Sequence, residues 1–408
     1  MKQDLDQLMA KRNLDAFVIV SDENYNPLVD YMTNGARVFG GYVLKKRDQP
    51  AVLFVNPMEI EEAAHSGLRV VSYSDINYTE LLSNRLPESA LQVELWKRLL
   101  GLAGITGGRV GIYGTADLNV YLELFRLFDQ QLTGFELVGE SGMTLFDEAM
   151  LTKDADELAR IRTVAHKTNE VLQLTWDWIG THQQQEDGQV INSEGTPLTI
   201  GAVKQFVLQA LLERDLEDTG MIFAQGRDGA FPHSRGNDAE TLRTGQAIVF
   251  DLFPRERGGG YHHDVTRTWS IGYATPQVQA LYDTVMEAFD RSLEMTQAGQ
   301  SAQVPQLAVL DYFESLGHPT RRSHGDTHNG YVHSLGHGVG LKIHERPSLS
   351  QFRDDVLQSG NVITLEPGLY YPDQNMGCRI EDMVMIDDSG AVVTLTTFHK
   401  QLVLPLQD

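Results

Sequence analysis

Val249-Phe-Asp-Leu-Phe-Pro-Arg-Glu-Arg-Gly-Gly-Gly-Tyr-His-His-Asp-Val-Thr-Arg-Thr268 reads as two strand-like arms around a glycine turn, with an aspartate on each arm. Asp251 closes the apolar run Ala247-Ile-Val-Phe250, where an uncompensated carboxylate is costly to bury. Asp264 stands between the Gly258-Gly-Gly260 turn and Val265-Thr-Arg-Thr268, so a hairpin brings it beside Asp251. The bland alternative is one solvated aspartate and one salt bridge to Arg267.

Downstream, more acids and histidines stand on similar segments. Ser334-Leu-Gly-His337-Gly-Val-Gly-Leu-Lys-Ile-His344-Glu comes first, then Thr364-Leu-Glu366-Pro-Gly, then Gly377-Cys-Arg379-Ile-Glu381-Asp. His333 and His337 have the spacing of two zinc ligands on one helical face. Gly336, Gly338 and Gly340 argue against a helix there, and Ser334 stands where a zinc protease would carry glutamate. A strand or loop packed tightly against a neighbour, with His337 aimed into a site, fits better; His344 belongs to a separate element nearby. Nine of the 13 histidines fall between His233 and His344; His262, His263, His324 and His328 are taken as surface residues without a role.

Glu366 ends the apolar strand Val362-Ile-Thr-Leu365. On residues 377–385 a strand period of two puts Arg379 and Glu381 on one face and turns Cys378 and Ile380 toward packing. Cys378 is then a buried inert thiol, and Arg379 a clamp that holds a ligating carboxylate. Four acids on apolar strands need cations, and two divalent ions balance their charge. That is the composition of a two-metal hydrolytic centre. Ligation by oxygen with a single imidazole favours Mn²⁺, with Co²⁺, Fe²⁺ or Zn²⁺ as substitutes.

The ordered segments D-L-F-P…Y-H-H-D-V-T-R-T, L-G-H-G-V-G-L-K-I-H-E-R-P, T-L-E-P-G and R-I-E-D resemble the pita-bread metallopeptidase family, within it the Xaa-Pro peptidases. The likeness covers residues 152 to about 400. It implies an α+β pita-bread catalytic domain in which Asp251, Asp264, His337, Glu366 and Glu381 hold two metal ions. Asp264 and Glu381 would bridge them, and Glu366 would also serve as general base toward the water between them. It carries catalytic roles onto His233 and His344, with His333 as a further histidine of the cleft, hydrogen-bonding the scissile carbonyl and assisting proton transfer to the leaving proline nitrogen. The implied activity is removal of the residue before a proline, by an aminopeptidase P or an Xaa-Pro dipeptidase. The implied partners are short peptides with proline in second position, and the family implies a homodimer. The loop between Asp251 and Asp264 departs from the common form in being longer and richer in Arg and Gly. A non-peptide amide hydrolase on the same centre and a non-catalytic pita-bread binding protein are the alternatives.

The flanks frame this site. At 408 residues two domains are the default. Over residues 1–151, apolar runs such as Ala16-Phe-Val-Ile-Val and Ala51-Val-Leu-Phe-Val alternate with helical stretches such as 59–65 and 89–102. This predicts an α/β domain, creatinase-like by the same resemblance. A long amphipathic helix over 153–179, with Asp154, Asp156 and Glu157 in its first turn, opens the second domain, residues 152–408. Residues 181–195 read as an exposed loop, and helices follow from Thr199 and over 276–297. Two helix-then-hairpin halves hint at a duplication. With 33 Lys and Arg against 56 Asp and Glu, the formal charge of −23 argues against nucleic acid and anionic membranes as partners. One cysteine excludes an internal disulfide. With no apolar run of signal-peptide or membrane-span length, the sequence points to a cytoplasmic protein.

Overall fold

The computed structural model describes residues 4–22 and 24–407. They form two compact units that meet in sequence between Ala149 and Met150.

In the first unit the fully buried strand Ala16–Val20 lies inside a six-stranded sheet. It pairs antiparallel with Gly41–Lys46 and parallel with Gly108–Gly114. Val52–Val55 and Arg69–Ser72 extend one side, and Phe135–Val138 the other. A strand covered on both faces reads as a continuous apolar run, and Ala-Phe-Val-Ile-Val is one. Helix Glu88–Leu102 adds Leu91, Leu95, Trp96 and Leu99 to the core of that unit. The sheet, mixed in direction with its helices, is the α/β domain anticipated.

The second unit is α+β and built in two similar halves. Helices Ala155–Gly180 and Ile200–Leu212 share a core with the four-stranded sheet of Ile222–Gln225, Ala247–Leu252, Val265–Ile271 and Val403–Leu404. Helices Pro276–Glu294 and Gln303–Ser315 share another with the five-stranded sheet centred on Val362–Leu365 and Asp382–Ile386. The first helix starts where the acidic turn places it. Asp154 accepts from the backbone amides of Asp156 and Glu157, and Glu157 returns the bond to the Asp154 amide. Helix Gln303–Ser315 escaped the sequence reading, although its Pro305 lies in the first turn, where no intrahelical donor is lost.

Two expectations need correction here. Residues 181–195 are not simply an exposed loop: Gln183–Gln184 pairs with Val190–Ile191, and Val190 is wholly buried. The backbone ties Val190 to both Leu198 and Leu242, so its side chain is drawn into the core. Residues 377–385 are not one strand either. Met376–Arg379 pairs with Gly368–Tyr371, whereas Asp382–Ile386 joins the five-stranded sheet, and Ile380 and Glu381 make the crossing.

Candidate metal centre

The hairpin forms as its sequence demands. Ala247–Leu252 and Val265–Ile271 pair antiparallel with Asp251 opposite Thr266, which leaves Asp264 just before the second arm. The other half repeats the arrangement, with Glu366 just after Val362–Leu365 and Glu381 just before its partner Asp382–Ile386. The carboxylates thus sit at matching strand ends of two sheets. Backbone bonds join the halves, since the Glu381 amide donates to the Thr266 carbonyl at 3.0 Å.

One cavity of about 550 Å³ is lined by Asp251, Asp264, His337, Glu366 and Glu381, and also by His233, His333, His344 and Arg379. Every site residue singled out in the sequence faces it. Ligating atoms of Asp264, His337 and Glu381 lie within 4.8 Å of one another. His337 Nε2 stands 3.7 Å from Asp264 and 3.5 Å from Glu366. Its Nδ1 donates to the Gly338 carbonyl at 3.1 Å, so the Nε2 lone pair is turned toward the acids. The glycines around His337 let backbone approach backbone: a Cβ on Gly336 would collide with the Thr364 carbonyl, and one on Gly338 with the Arg346 carbonyl.

The electrostatics are those of acids crowded without enough positive charge. Burial, and next to it the charges of Asp251 and Glu366, push Asp264 well above the carboxylate range. Burial likewise raises Glu381, with Asp264 as the next cause, and lifts Glu366 to about 8. Burial holds His337 near 3, so it stays a neutral donor of electrons. Asp251 Oδ1 is buried with no hydrogen-bond partner. An unpaired buried acceptor beside acids that resist ionisation, and an imidazole lone pair among them, fit divalent cations.

Arg379 is the one buried cation of the cavity, and it departs from expectation in its partner. Its Nη2 donates to Asp251 Oδ2 at 2.5 Å, with no bond to Glu381. The chain crosses between sheets at Ile380, which separates the two side chains. Glu381 instead accepts from the Thr266 hydroxyl at 2.7 Å, and that hydroxyl accepts from Arg379 Nε at 3.0 Å. Arg379 Nη1 donates to the Tyr370 hydroxyl at 2.9 Å. His333 gives its Nδ1 hydrogen to the Ser334 carbonyl at 2.8 Å, so its Nε2 accepts from Tyr370 at 3.0 Å. Thr266 and Tyr370 were missed in the sequence. Thr266 had a signal, since it sits opposite Asp251 on the predicted hairpin, but Tyr370 had none.

His344 packs edge-on against His337, ring centroids 4.4 Å apart, and His344 and His233 are both exposed. His324 and His328 are exposed as read, but His262 and His263 are 4% and 0% exposed. Burial lowers both to about 3. The His262 amide donates to the Gly340 carbonyl, which draws the end of the glycine-rich turn inward. Arg267 does not pair with Asp264; it bonds Asp382 at 2.8 Å. Cys378 is buried and its thiol pushed up to about 12 by that burial, as an inert thiol should be.

Comparison with known proteins agrees with this geometry. Residues 159–388 match the model of metallopeptidase family M24, and residues 2–139 match the creatinase/prolidase N-terminal domain. An Xaa-Pro dipeptidase of Pyrococcus furiosus is 38% identical over 42% of this chain and 45% of its own length. A putative dipeptidase of Bacillus subtilis is 34% identical over 52% and 56%. The chain thus matches about half the length of these two relatives, whereas an Xaa-Pro dipeptidase of Pyrococcus horikoshii aligns over 97% of both chains at 26% identity. Among solved structures, an Xaa-Pro dipeptidase from Bacillus anthracis superposes with a TM-score of 0.75 at 22% identity, covering 98% of this chain and 99% of that one. A prolidase from Pyrococcus furiosus gives 0.72 at 24%, covering 97% and 99%. These likenesses carry the fold: a creatinase-type first unit and a pita-bread second unit. With the family model spanning more than half its length, the chain belongs to metallopeptidase family M24, whose members act with divalent metal ions.

Proposed function

We propose that this chain is a metal-dependent exopeptidase that cleaves the bond before a proline in the second position of short peptides. Catalysis belongs to residues 152–408, with 1–151 as the creatinase-like supporting domain. The observation that carries the reading is a single cavity lined by four acids, one electron-donating imidazole and three further histidines. The relatives named as Xaa-Pro dipeptidases support the choice of bond.

In this reading Asp251, Asp264, His337, Glu366 and Glu381 hold two divalent ions, Mn²⁺ before Co²⁺, Zn²⁺ or Fe²⁺, which supply Lewis acidity and lower the pKa of water. Arg379 fixes the orientation of Asp251, and the Thr266 hydroxyl fixes that of Glu381. The Glu366 carboxylate takes the proton of the attacking water and passes it toward the leaving group. His344 and His233, on the open side of the cavity, donate hydrogen bonds to the scissile carbonyl oxygen as negative charge develops on it. The leaving proline nitrogen must gain a proton as the bond breaks, and the same histidines assist that transfer. His333, kept neutral by burial and next by the nearby Arg379 charge, is oriented by Tyr370 and Ser334 and shapes the cleft wall.

Xaa-Pro dipeptides and Xaa-Pro tripeptides, offered to metal-stripped protein with and without Mn²⁺, test the reading. Hydrolysis that depends on added metal is the expected result. Inactivity on both, with metal shown bound, would overturn it. A homodimer in a reducing, cytoplasmic setting completes the proposal, and light scattering checks the stoichiometry.

A further inference from the structure

His344 stands on the open side of the cavity, and among the described residues no hydrogen bond engages its ring. The ring packs edge-on against His337, and the backbone beneath it decides where it points. That backbone is a bend, residues 340–344, outside any strand and between Gly336–Gly338 and Glu345–Leu349. Register shifts beside it, since His337 faces Ser348 whereas Gly338 faces Glu345. Among the described residues the backbone supplies one bond within the bend, from the Gly340 amide to the Lys342 carbonyl at 3.1 Å. A bend so sparsely bonded needs another group to fix it.

The Glu345 carboxylate is that group. Its Oε1 accepts from the Lys342 amide at 3.1 Å and so closes the bend. Its Oε2 accepts from Lys153 Nζ at 2.8 Å, and the same ammonium donates to the Met150 carbonyl at 2.9 Å. The two side chains, Lys153 and Glu345, are 2% and 4% exposed. Gly340 leaves room for the carboxylate, because a Cβ there would overlap its oxygens. Lys153 is itself held. Its amide donates to the Gly360 carbonyl at 2.8 Å, and Asn361 Nδ2 donates to the Leu151 carbonyl at 2.8 Å. Gly360 and Asn361 stand just before Val362–Leu365, the strand that leads to Glu366. A buried ion pair offers little net stability over an apolar pair of the same shape. What this one adds is a fixed link between the strand that leads to Glu366 and the bend that carries His344.

Resting on the peptidase reading above, in which His344 donates to the scissile carbonyl, we infer that Lys153 and Glu345 are positioning residues for His344. Their buried bridge sets the bend so that the imidazole meets the carbonyl oxygen. Neither lines the cavity, so both act through the bend. Misplacing a group at the reacting centre by about 1 Å costs about 10²-fold in rate.

The test measures kcat, KM and bound metal under Mn²⁺, with the better used of Ala-Pro and Ala-Pro-Ala. It takes Lys153→Met, Glu345→Gln and the two combined, each alone and together with His344→Ala. The combined variant buries no unpaired charge and keeps the test open should a single variant fail to fold. The substitutions should lower kcat about 10- to 100-fold, with KM within about threefold and metal content unchanged. In the His344→Ala background they should lower kcat by less than about twofold more, because groups that act as one unit are not additive. The full loss repeated in that background, an unchanged kcat in the combined variant, or loss of metal would overturn the assignment. In Zn²⁺-loaded protein the His344 ring resonance, identified by its absence in His344→Ala, should shift in the combined variant; an unmoved resonance overturns the assignment without any substrate. A shifted resonance in a protein that hydrolyses neither peptide would instead remove the Xaa-Pro reading and leave the positioning of His344 standing.

Discussion

His337 shows how one backbone carbonyl decides what a side chain can do. Because Gly338 takes the Nδ1 hydrogen, Nε2 is left as a lone pair among Asp264, Glu366 and Glu381. The same crowding makes stability without metal depend on pH in a predictable direction. Glu366 has a folded value of about 8 against an ordinary 4.5, so the native state holds a proton that the unfolded chain has lost. Its stabilisation is complete below 4.5 and is lost as pH rises toward 8. The buried His262 and His263 act oppositely, losing stability as pH falls from 6.5 toward 3. Between pH 6.5 and 8 the carboxylates dominate, so metal-stripped protein should melt at steadily lower temperature across that window. Added Mn²⁺ should remove the slope by favouring the ionised acids, and thermal melts at fixed ionic strength check both. Glu366→Gln should abolish turnover, measured with saturating metal. His233→Ala should lower the rate about 10²- to 10⁴-fold with metal content unchanged; loss of metal would make it a ligand.

At the scale of elements, the hairpin was legible because its two apolar arms and triple-glycine turn admit few other conformations. The glycine-alternating segment around His337 was legible for the same reason: only backbone packed against backbone needs that pattern. The Gly377–Met385 stretch was misread because strand period is a local property. Alternation continues through Ile380, but sheet partners change there, and partners lie far away in sequence. His262 and His263 were placed on the surface from polarity alone, although their neighbours fold over them. Arg267 shows what such burial does. At 1% exposure it bonds Asp382 and the carbonyls of Thr266, Glu381, Phe398 and His399, holding together the strand ends that carry Asp264 and Glu381. Arg267→Met should cost about 3–5 kcal/mol, because the carbonyls of Glu381, Phe398 and His399 lose a buried donor and Asp382 is left with Lys400 as its one cation. Urea denaturation of the metal-free protein reads that loss.

At the scale of the whole molecule, the two units have separate cores, and every side chain lining the cavity belongs to the second. Residues 150–408 produced alone should therefore bind the same number of metal ions per chain as the full protein, as measured by elemental analysis after dialysis. A lower stoichiometry would mean that the first unit contributes to the centre. The division into an α/β and an α+β part was visible in the sequence as a change of texture near residue 150, whereas the match between the two halves of the second part was only a hint. The pairing of strand ends accounts for both, since it needs the sheets and not the sequence to repeat. The duplication also has a mechanical meaning. Asp251 and Asp264 come from one sheet, Glu366 and Glu381 from the other, so an ion held among them staples two layers that otherwise have separate apolar cores. Amide hydrogens in both sheets should then slow their exchange together when metal is added, since the ion tightens two layers that Arg267 and the Glu381–Thr266 backbone bond already join.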